Sequence, residues 1–237
     1  MFKLNFGNFL VPNLSCFLAS EIDVTKVTTI ISWASVGVFA LLIVLLCIFS
    51  KKLSTRTIVM AGICIAASFG LSYLKISPVN NGGSVTAASL VPILIFSCMY
   101  GFFPSLLAGL IYGLLQFLQS PWLLTPFTFI LDFVLAFAPI CAVGALKDLT
   151  KNNKLSLLAG TAICFGVRFL MHFASGIIYF EHGAIYTDLP QSSAFIYSLL
   201  YNLVYLVPDF LINFIVIFIL VKTKTYDKLE SLANKQS

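Results

Sequence analysis

Long apolar runs, separated by short polar or Gly/Pro-bearing breaks, recur along this chain. A helix needs roughly 20 apolar residues to cross a bilayer core. Residues 27–50, ended by Lys51 and Lys52, form the first such run. Others follow at about 57–74, 87–101, 103–119, 125–146, 155–180 and 194–221, which predicts seven helices. The run 87–101 is short for a crossing, so it is expected to tilt or to stop before one surface. It enters 103–119 through a tight turn over residues 101–104. Spanning strands would show short segments of alternating polarity, and these runs are continuous.

Composition agrees with that pattern. Of 237 residues, 59% are hydrophobic and 10% charged, where a soluble domain carries about 25% charged residues. With a mean hydropathy of +1.01, the chain cannot cover a globule of this size with polar surface. These values point to an all-α integral membrane protein. They exclude an ordinary cytosolic enzyme, a disordered protein and a nucleic-acid binder of the basic-patch type. Cys47, Cys64, Cys98, Cys141 and Cys164 lie inside apolar runs and Cys16 stands alone, with no C-x-x-C pair, so they read as small buried hydrophobes. Near the N-terminus there is one lysine, Lys3, and no clear small-residue cleavage site, so no cleaved signal peptide is expected.

Basic residues follow the cytoplasmic side of a membrane protein. With the N-terminus outside, Lys51, Lys52, Arg56, Lys147, Lys151, Lys154, Lys222, Lys224, Lys228 and Lys235 are cytoplasmic. Only Lys3, Lys26 and Lys75 then fall outside, and Arg168 lies within a helix. The expectation is a multi-pass cell-membrane protein with its C-terminus in the cytoplasm. The net charge of +5 reflects that topology.

An ionisable side chain within a span costs about 2.5–3.5 kcal/mol on insertion scales, so each one calls for a reason. Four occur here: Asp132, Arg168, His172 and Asp209. In the expected topology they lie at middle or outer depth, together with Tyr197, Asn202 and Tyr205, which suggests a pocket open to the outside. Arg168, His172, Ser175 and Tyr179 follow i, i+4, i+7 and i+11, a single helical face. Asn202, Tyr205 and Asp209 form a second face, and Phe129, Asp132, Phe133 and Ala136 a third. Aromatic faces beside a carboxylate suit a flat, cationic or amine-bearing organic ligand. The plainer alternatives are an Asp–Arg bridge that fixes packing, a satisfied core histidine, and tyrosines of an interfacial belt. Asp209 follows Pro208 and ranks below the others, since it has loosened backbone to bond.

No phosphate-binding loop, zinc-protease or serine-hydrolase pattern is present, so no catalytic or metal-ligating residue is indicated. No arginine ladder and no repeat of two similar halves is apparent. Such a protein would bind its ligand and take its energy from a partner. Gly62, Ala66 and Gly70 recur every four residues, as do Gly109 and Gly113, a spacing that lets helices approach closely, most often for internal packing.

Several stretches carry a resemblance. Gly82-Gly83-Ser84-Val85-Thr86, then Leu90-Val91-Pro92-Ile93, come first. Gly109-Leu110-Ile111-Tyr112-Gly113-Leu114-Leu115 and Leu131-Asp132-Phe133-Val134-Leu135-Ala136-Phe137 follow. The most specific is Arg168-Phe169-Leu170-Met171-His172-Phe173-Ala174-Ser175-Gly176-Ile177-Ile178-Tyr179-Phe180, joined by Tyr197-Ser198-Leu199-Leu200-Tyr201-Asn202. In order and spacing, the chain from about residue 56 to 221 resembles the thiamine-specific S-components, the substrate-binding subunits of energy-coupling factor (ECF) transporters.

That resemblance implies a six-helix substrate-binding membrane domain at 56–221 whose outward-facing pocket is closed by the first loop, about 75–86. It leaves an N-terminal segment, 1–55, with one extra helix at about 27–50, and a short cytoplasmic tail at 222–237. It implies binding roles for Asp132 (usually Glu), Phe133 (often Tyr), Arg168 (Lys in familiar members), His172, Phe180 (a stacking Trp), Tyr197 and Asn202. Asp132 reaches one methylene less far than Glu, Phe180 stacks less strongly on a cation than Trp, and Gly83 stands where some members have Trp. The implied ligand is thiamine, with no cofactor of the chain's own. The implied partners are a transmembrane coupling subunit, which meets Gly62, Ala66 and Gly70, and two ATPase subunits that use ATP. The alternatives are an S-component for another small vitamin or thiamine precursor, an intramembrane enzyme using Asp132 and His172, and a structural subunit.

Overall fold

A computed structural model describes residues 53–76, 83–121, 124–183, 189–190 and 192–235, with scattered positions between 34 and 48. The extra helix expected at 27–50 falls largely outside the described residues. Those described within it are helical, and two of them, Phe39 and Ile43, are buried against Leu110, Phe117 and Phe129. The Phe39 and Phe129 rings meet edge to face at 5.7 Å.

The first complete helix, α1 (Thr55–Ser72), starts where the Ser54 hydroxyl accepts the Thr57 amide at 3.1 Å. The chain then forms two short antiparallel strands, β1 (Lys75–Ile76) and β2 (Val85–Thr86), paired Lys75 to Thr86 and Ile76 to Val85. Next is α2 (Val91–Tyr100), with Pro92 in its first turn, where its missing N–H costs nothing. Its 10 residues rise only about 15 Å, half the thickness of a bilayer core. It is sunk among its neighbours, with Leu90, Ile93, Leu94, Phe96 and Cys98 all buried. The apolar run at 87–101 is thus a buried half-span.

Gly101, at φ 84°, turns the chain into α3 (Phe102–Gln119). The following crossing, Pro126–Thr150, is irregular. It opens as α4 (Pro126–Phe129) under a reciprocal Thr125–Thr128 cap, widens into a π-helical segment at Ile130–Leu135, and tightens into a 3₁₀ turn at Ala138–Ile140. It ends as α5 (Cys141–Thr150). Two long helices follow, α6 (Asn153–Glu181) and α7 (Ala194–Lys222), 29 residues each, which pack against each other. The tail then forms α8 (Thr225–Lys235). Five of these units are long and apolar enough to cross a membrane, and α2 is the shorter apolar helix beside them. The chain is a multi-pass, all-α membrane protein.

Basic residues gather at one end of the bundle. The Lys147 ammonium donates to the Met99 carbonyl at 2.8 Å, and Lys154 pairs with Asp227 of α8 at 2.8 Å. Tyr226 of α8 is fully buried, and its hydroxyl donates to the Cys98 thiol at the end of α2. Burial pushes the Tyr226 hydroxyl well above the usual tyrosine range, so it remains a neutral donor.

The two glycine pairs do different work. A β-carbon at Gly113 would collide with the Phe133 carbonyl, and one at Gly109 with that of Phe137. That pair brings α3 onto the π-helical segment and the residues just after it, an internal packing role. Gly62 and Gly70 have no heavy atom near an added β-carbon and, with Ala66, lie exposed on α1. We predict that Gly113→Ala destabilises the purified protein by about 1–3 kcal/mol through overpacking. Gly62→Ala should leave the thermal unfolding midpoint unchanged or slightly raised; the same thermal scan reads both.

Candidate ligand-binding site

At the end of the bundle away from the basic cluster lies a cavity of about 830 Å³. It is within the range of about 300–1,000 Å³ usual for small-molecule sites. Its walls come from α1, the β-strand segment, α3, the π-helical segment, α6 and α7.

Asp132 enters from the π-helical segment; such wide turns often mark functional positions in helices. Its carboxylate accepts from Ser175 Oγ at 2.6 Å and meets His172 Nδ1 at 2.8 Å. His172 Nε2 in turn lies 3.4 Å from Arg168 Nε, a donor. One tautomer, with the proton on Nδ1, satisfies both sides of the ring. Arg168 is held over the Phe137 ring at 4.6 Å, and its other end pairs with Asp209 at 3.6 Å. Arg168 and Asp209 therefore pair with one another, and the ion-pair partner of Asp132 among the described residues is His172, with no lysine or arginine against it. Lys75 stands exposed at the rim. The cavity wall thus carries a carboxylate, Asp132, that no lysine or arginine pairs with among the described residues, flanked by Phe133, Phe137, Tyr179, Tyr197, Tyr201 and Tyr205.

The α6–α7 wall is fixed by close packing. A β-carbon on Gly176 would strike the Ser198 hydroxyl, which donates to the Phe173 carbonyl at 2.6 Å. The Asn202 amide donates to the Ser198 carbonyl at 2.8 Å and to the His172 carbonyl at 3.3 Å, while its oxygen accepts from Tyr205 at 2.8 Å. Asn202 thereby holds the backbone of His172 in place. What it offers the cavity is the second lone pair of its oxygen.

Six of the seven residues expected from the sequence, Asp132, Phe133, Arg168, His172, Tyr197 and Asn202, line this cavity. Phe180 does not: its ring packs against Tyr197 at 5.3 Å, and Tyr179 lines the cavity instead. Helical geometry explains the difference. Tyr179 lies 11 residues after Arg168, about 20° from the same face, whereas Phe180 is turned by about 120°. Asp209 is not occupied with the backbone loosened by Pro208; its carboxylate reaches Thr86 and Arg168. Sequence reasoning passed over Gln116 and Gln119 of α3 and Tyr112, all of which line the cavity. The signal that might have found the glutamines was their i, i+3 spacing in an otherwise apolar span.

A family model described as "Thiamine transporter protein (Thia_YuaJ)" matches residues 58–229, well over half of the chain. The chain belongs to the thiamine transporter protein family. A curated relative, the thiamine transporter ThiT of Bacillus subtilis (strain 168), is 31% identical across 60% of this chain and 77% of that protein. A solved structure of ThiT from Listeria monocytogenes superposes with a TM-score of 0.58, covering 71% of this chain and 94% of that one at 22% identity, and so shares the fold. The likeness to thiamine-specific S-components is borne out by this membership. The family is one of transporters, which sets aside the intramembrane-enzyme reading.

Removing the Asp132 carboxylate would orphan a buried hydroxyl and an imidazole N–H. In ligand-free protein, Asp132→Ala is expected to cost about 1–3 kcal/mol of stability, read as a lower thermal midpoint. Ser175→Ala, which removes one donor and leaves the carboxylate with His172, should cost less.

Proposed function

We propose that this chain is the substrate-binding membrane subunit of an ECF-type importer and holds thiamine in the cavity around Asp132. The observation that carries the reading is a carboxylate among aromatic side chains with no lysine or arginine paired to it among the described residues. Thiamine is a monocation with two flat rings. Its thiazolium would balance Asp132 in a site where water does not screen the pair, and the tyrosine and phenylalanine faces favour a cation by their ring quadrupoles. Asp132 would sit against the thiazolium or the aminopyrimidine, with His172 and Phe133 stacking and Tyr197, Asn202 and Arg168 setting polar edges. Tyr179 takes the place first expected of Phe180.

The working arrangement follows from the same reading. Residues 56–221 act as the substrate-binding domain, the mouth faces outward, and the N-terminus lies outside with the C-terminus in the cytoplasm. The exposed Gly62, Ala66 and Gly70 face of α1 would dock on a transmembrane coupling subunit, whose two ATPase partners consume ATP. The clustering of Lys147, Lys154 and α8 at the end opposite the cavity supports this orientation.

Titration of the purified protein by fluorescence quenching or calorimetry is the test. Thiamine should bind saturably and one to one, and Asp132→Asn should weaken it about 10- to 100-fold, the scale of a charge-assisted contact. A neutral analogue with thiophene in place of thiazolium should also bind more weakly to wild type, and that difference should shrink in Asp132→Asn. Tyr179→Ala should reduce affinity more than Phe180→Ala. The panel includes the separate pyrimidine and thiazole halves, pyridoxine and riboflavin. Preferential binding of one of these, or no saturable thiamine signal, would overturn the assignment.

A further inference from the structure

Four residues of α7 spaced four apart, Tyr201, Tyr205, Asp209 and Asn213, hold residues 83–90 across the cavity. The Gly83 amide donates to the Tyr201 hydroxyl at 2.8 Å, and the same glycine lies so close to the Tyr205 ring that a β-carbon would not fit. Further along, the Leu90 amide donates to Asn213 Oδ1 at 3.1 Å. Between these contacts Asp209, 1% exposed, makes the charged one. Its Oδ1 accepts from the Thr86 amide at 2.9 Å and the Thr86 hydroxyl at 2.7 Å. Since a carboxylate only accepts, the Thr86 hydroxyl spends its proton there, and the Ser89 hydroxyl, 2.7 Å away, donates to Thr86. Gly83, Ser84, Thr86 and Ser89 all line the cavity, so residues 83–89 form its roof.

The other oxygen of Asp209 faces Arg168, whose Nε approaches His172, which meets Asp132. One buried carboxylate thus touches both the roof and the polar chain that ends at the ligand-facing charge. We propose that Asp209 is a positioning residue: it fixes the roof segment by Thr86 and sets Arg168 behind His172, so that it governs how long a ligand is retained. The retention part rests on the reading of the cavity as the thiamine site; the roof part does not. Asp209 is not among the cavity-lining residues, so its effect is indirect. Asn213 donates to the Asp209 carbonyl at 2.8 Å, which steadies the backbone that presents the carboxylate after Pro208.

The experiment has two readouts on full-length wild type, Asp209→Asn, Thr86→Val and the double variant. The first is hydrogen exchange of residues 83–90 in ligand-free protein. Asp209→Asn should speed exchange of the Thr86 region by about tenfold or more, the scale of one charge-assisted hydrogen bond, while helix α3 stays protected. Unchanged exchange there overturns the proposal, whatever the ligand. The second is the thiamine dissociation rate by stopped flow. Both single variants should release faster, with Asp209→Asn the faster, and the double variant should add little to it, because both remove one link. Looser exchange with unaltered release, or strictly additive effects, overturns the retention role. Wild type that fails to bind thiamine refutes the proposed function instead, and the roof contact is then judged on exchange alone. Thr86→Val keeps both Asp209 and Arg168, so it preserves the test should Asp209→Asn fold poorly.

Discussion

A charge placed inside a bilayer must be answered by another group or it will not stay there, and in this protein one chain of contacts supplies the answers. Ser175 and His172 attend Asp132, Arg168 stands behind His172, and Asp209 joins Arg168 to Thr86. Each group is partly or wholly buried, so each would be costly alone. The helices are arranged around that need. The α6–α7 pair closes to glycine contact at Gly176, and α3 meets the π-helical segment at Gly113 and the residues just after it at Gly109. At Gly176 the close approach brings the Ser198 hydroxyl and the Asn202 amide of α7 within bonding distance of the α6 backbone.

The chain of contacts gives Asp132 no lysine or arginine among the described residues, and that carboxylate lies on a wall of rings. Stability and recognition are therefore in tension at Asp132. The carboxylate is held by Ser175 and His172, and on the proposed reading a cationic ligand would complete what packing has left open. Belonging to the thiamine transporter protein family fits that chemistry, since a carboxylate among rings would favour a flat monocation over an anionic solute of equal size.

Much of this was legible in the sequence, for definite reasons. Ionisable residues are so costly in a span that Asp132, Arg168 and His172 stand out against their apolar surroundings, and the 3.6-residue period aligns Arg168 with His172, Ser175 and Tyr179. The same period already favours Tyr179 over Phe180, which was expected in the site only through the family resemblance. Asp209 was underrated because its partners, Thr86 and Arg168, are distant in sequence and unrelated by any helical spacing. Nor does composition distinguish a buried half-helix such as α2 from a tilted span. That outcome depends on what surrounds it, here Tyr226 and Asn153 at one end and Asn213 at the other.

The wide turn at Ile130–Leu135 carries a consequence for how such a protein can change. Ordinary helix is the more comfortable backbone, so trimming one residue from this stretch would relieve it. Every position on one side of the cut would then swing by about 100°. A cut between Phe133 and Phe137 would leave the carboxylate and the carbonyl over Gly113 on one side and the carbonyl over Gly109 on the other, out of their common register. The irregularity thus lets one crossing present Asp132 to the cavity while seating two carbonyls over the glycines of α3.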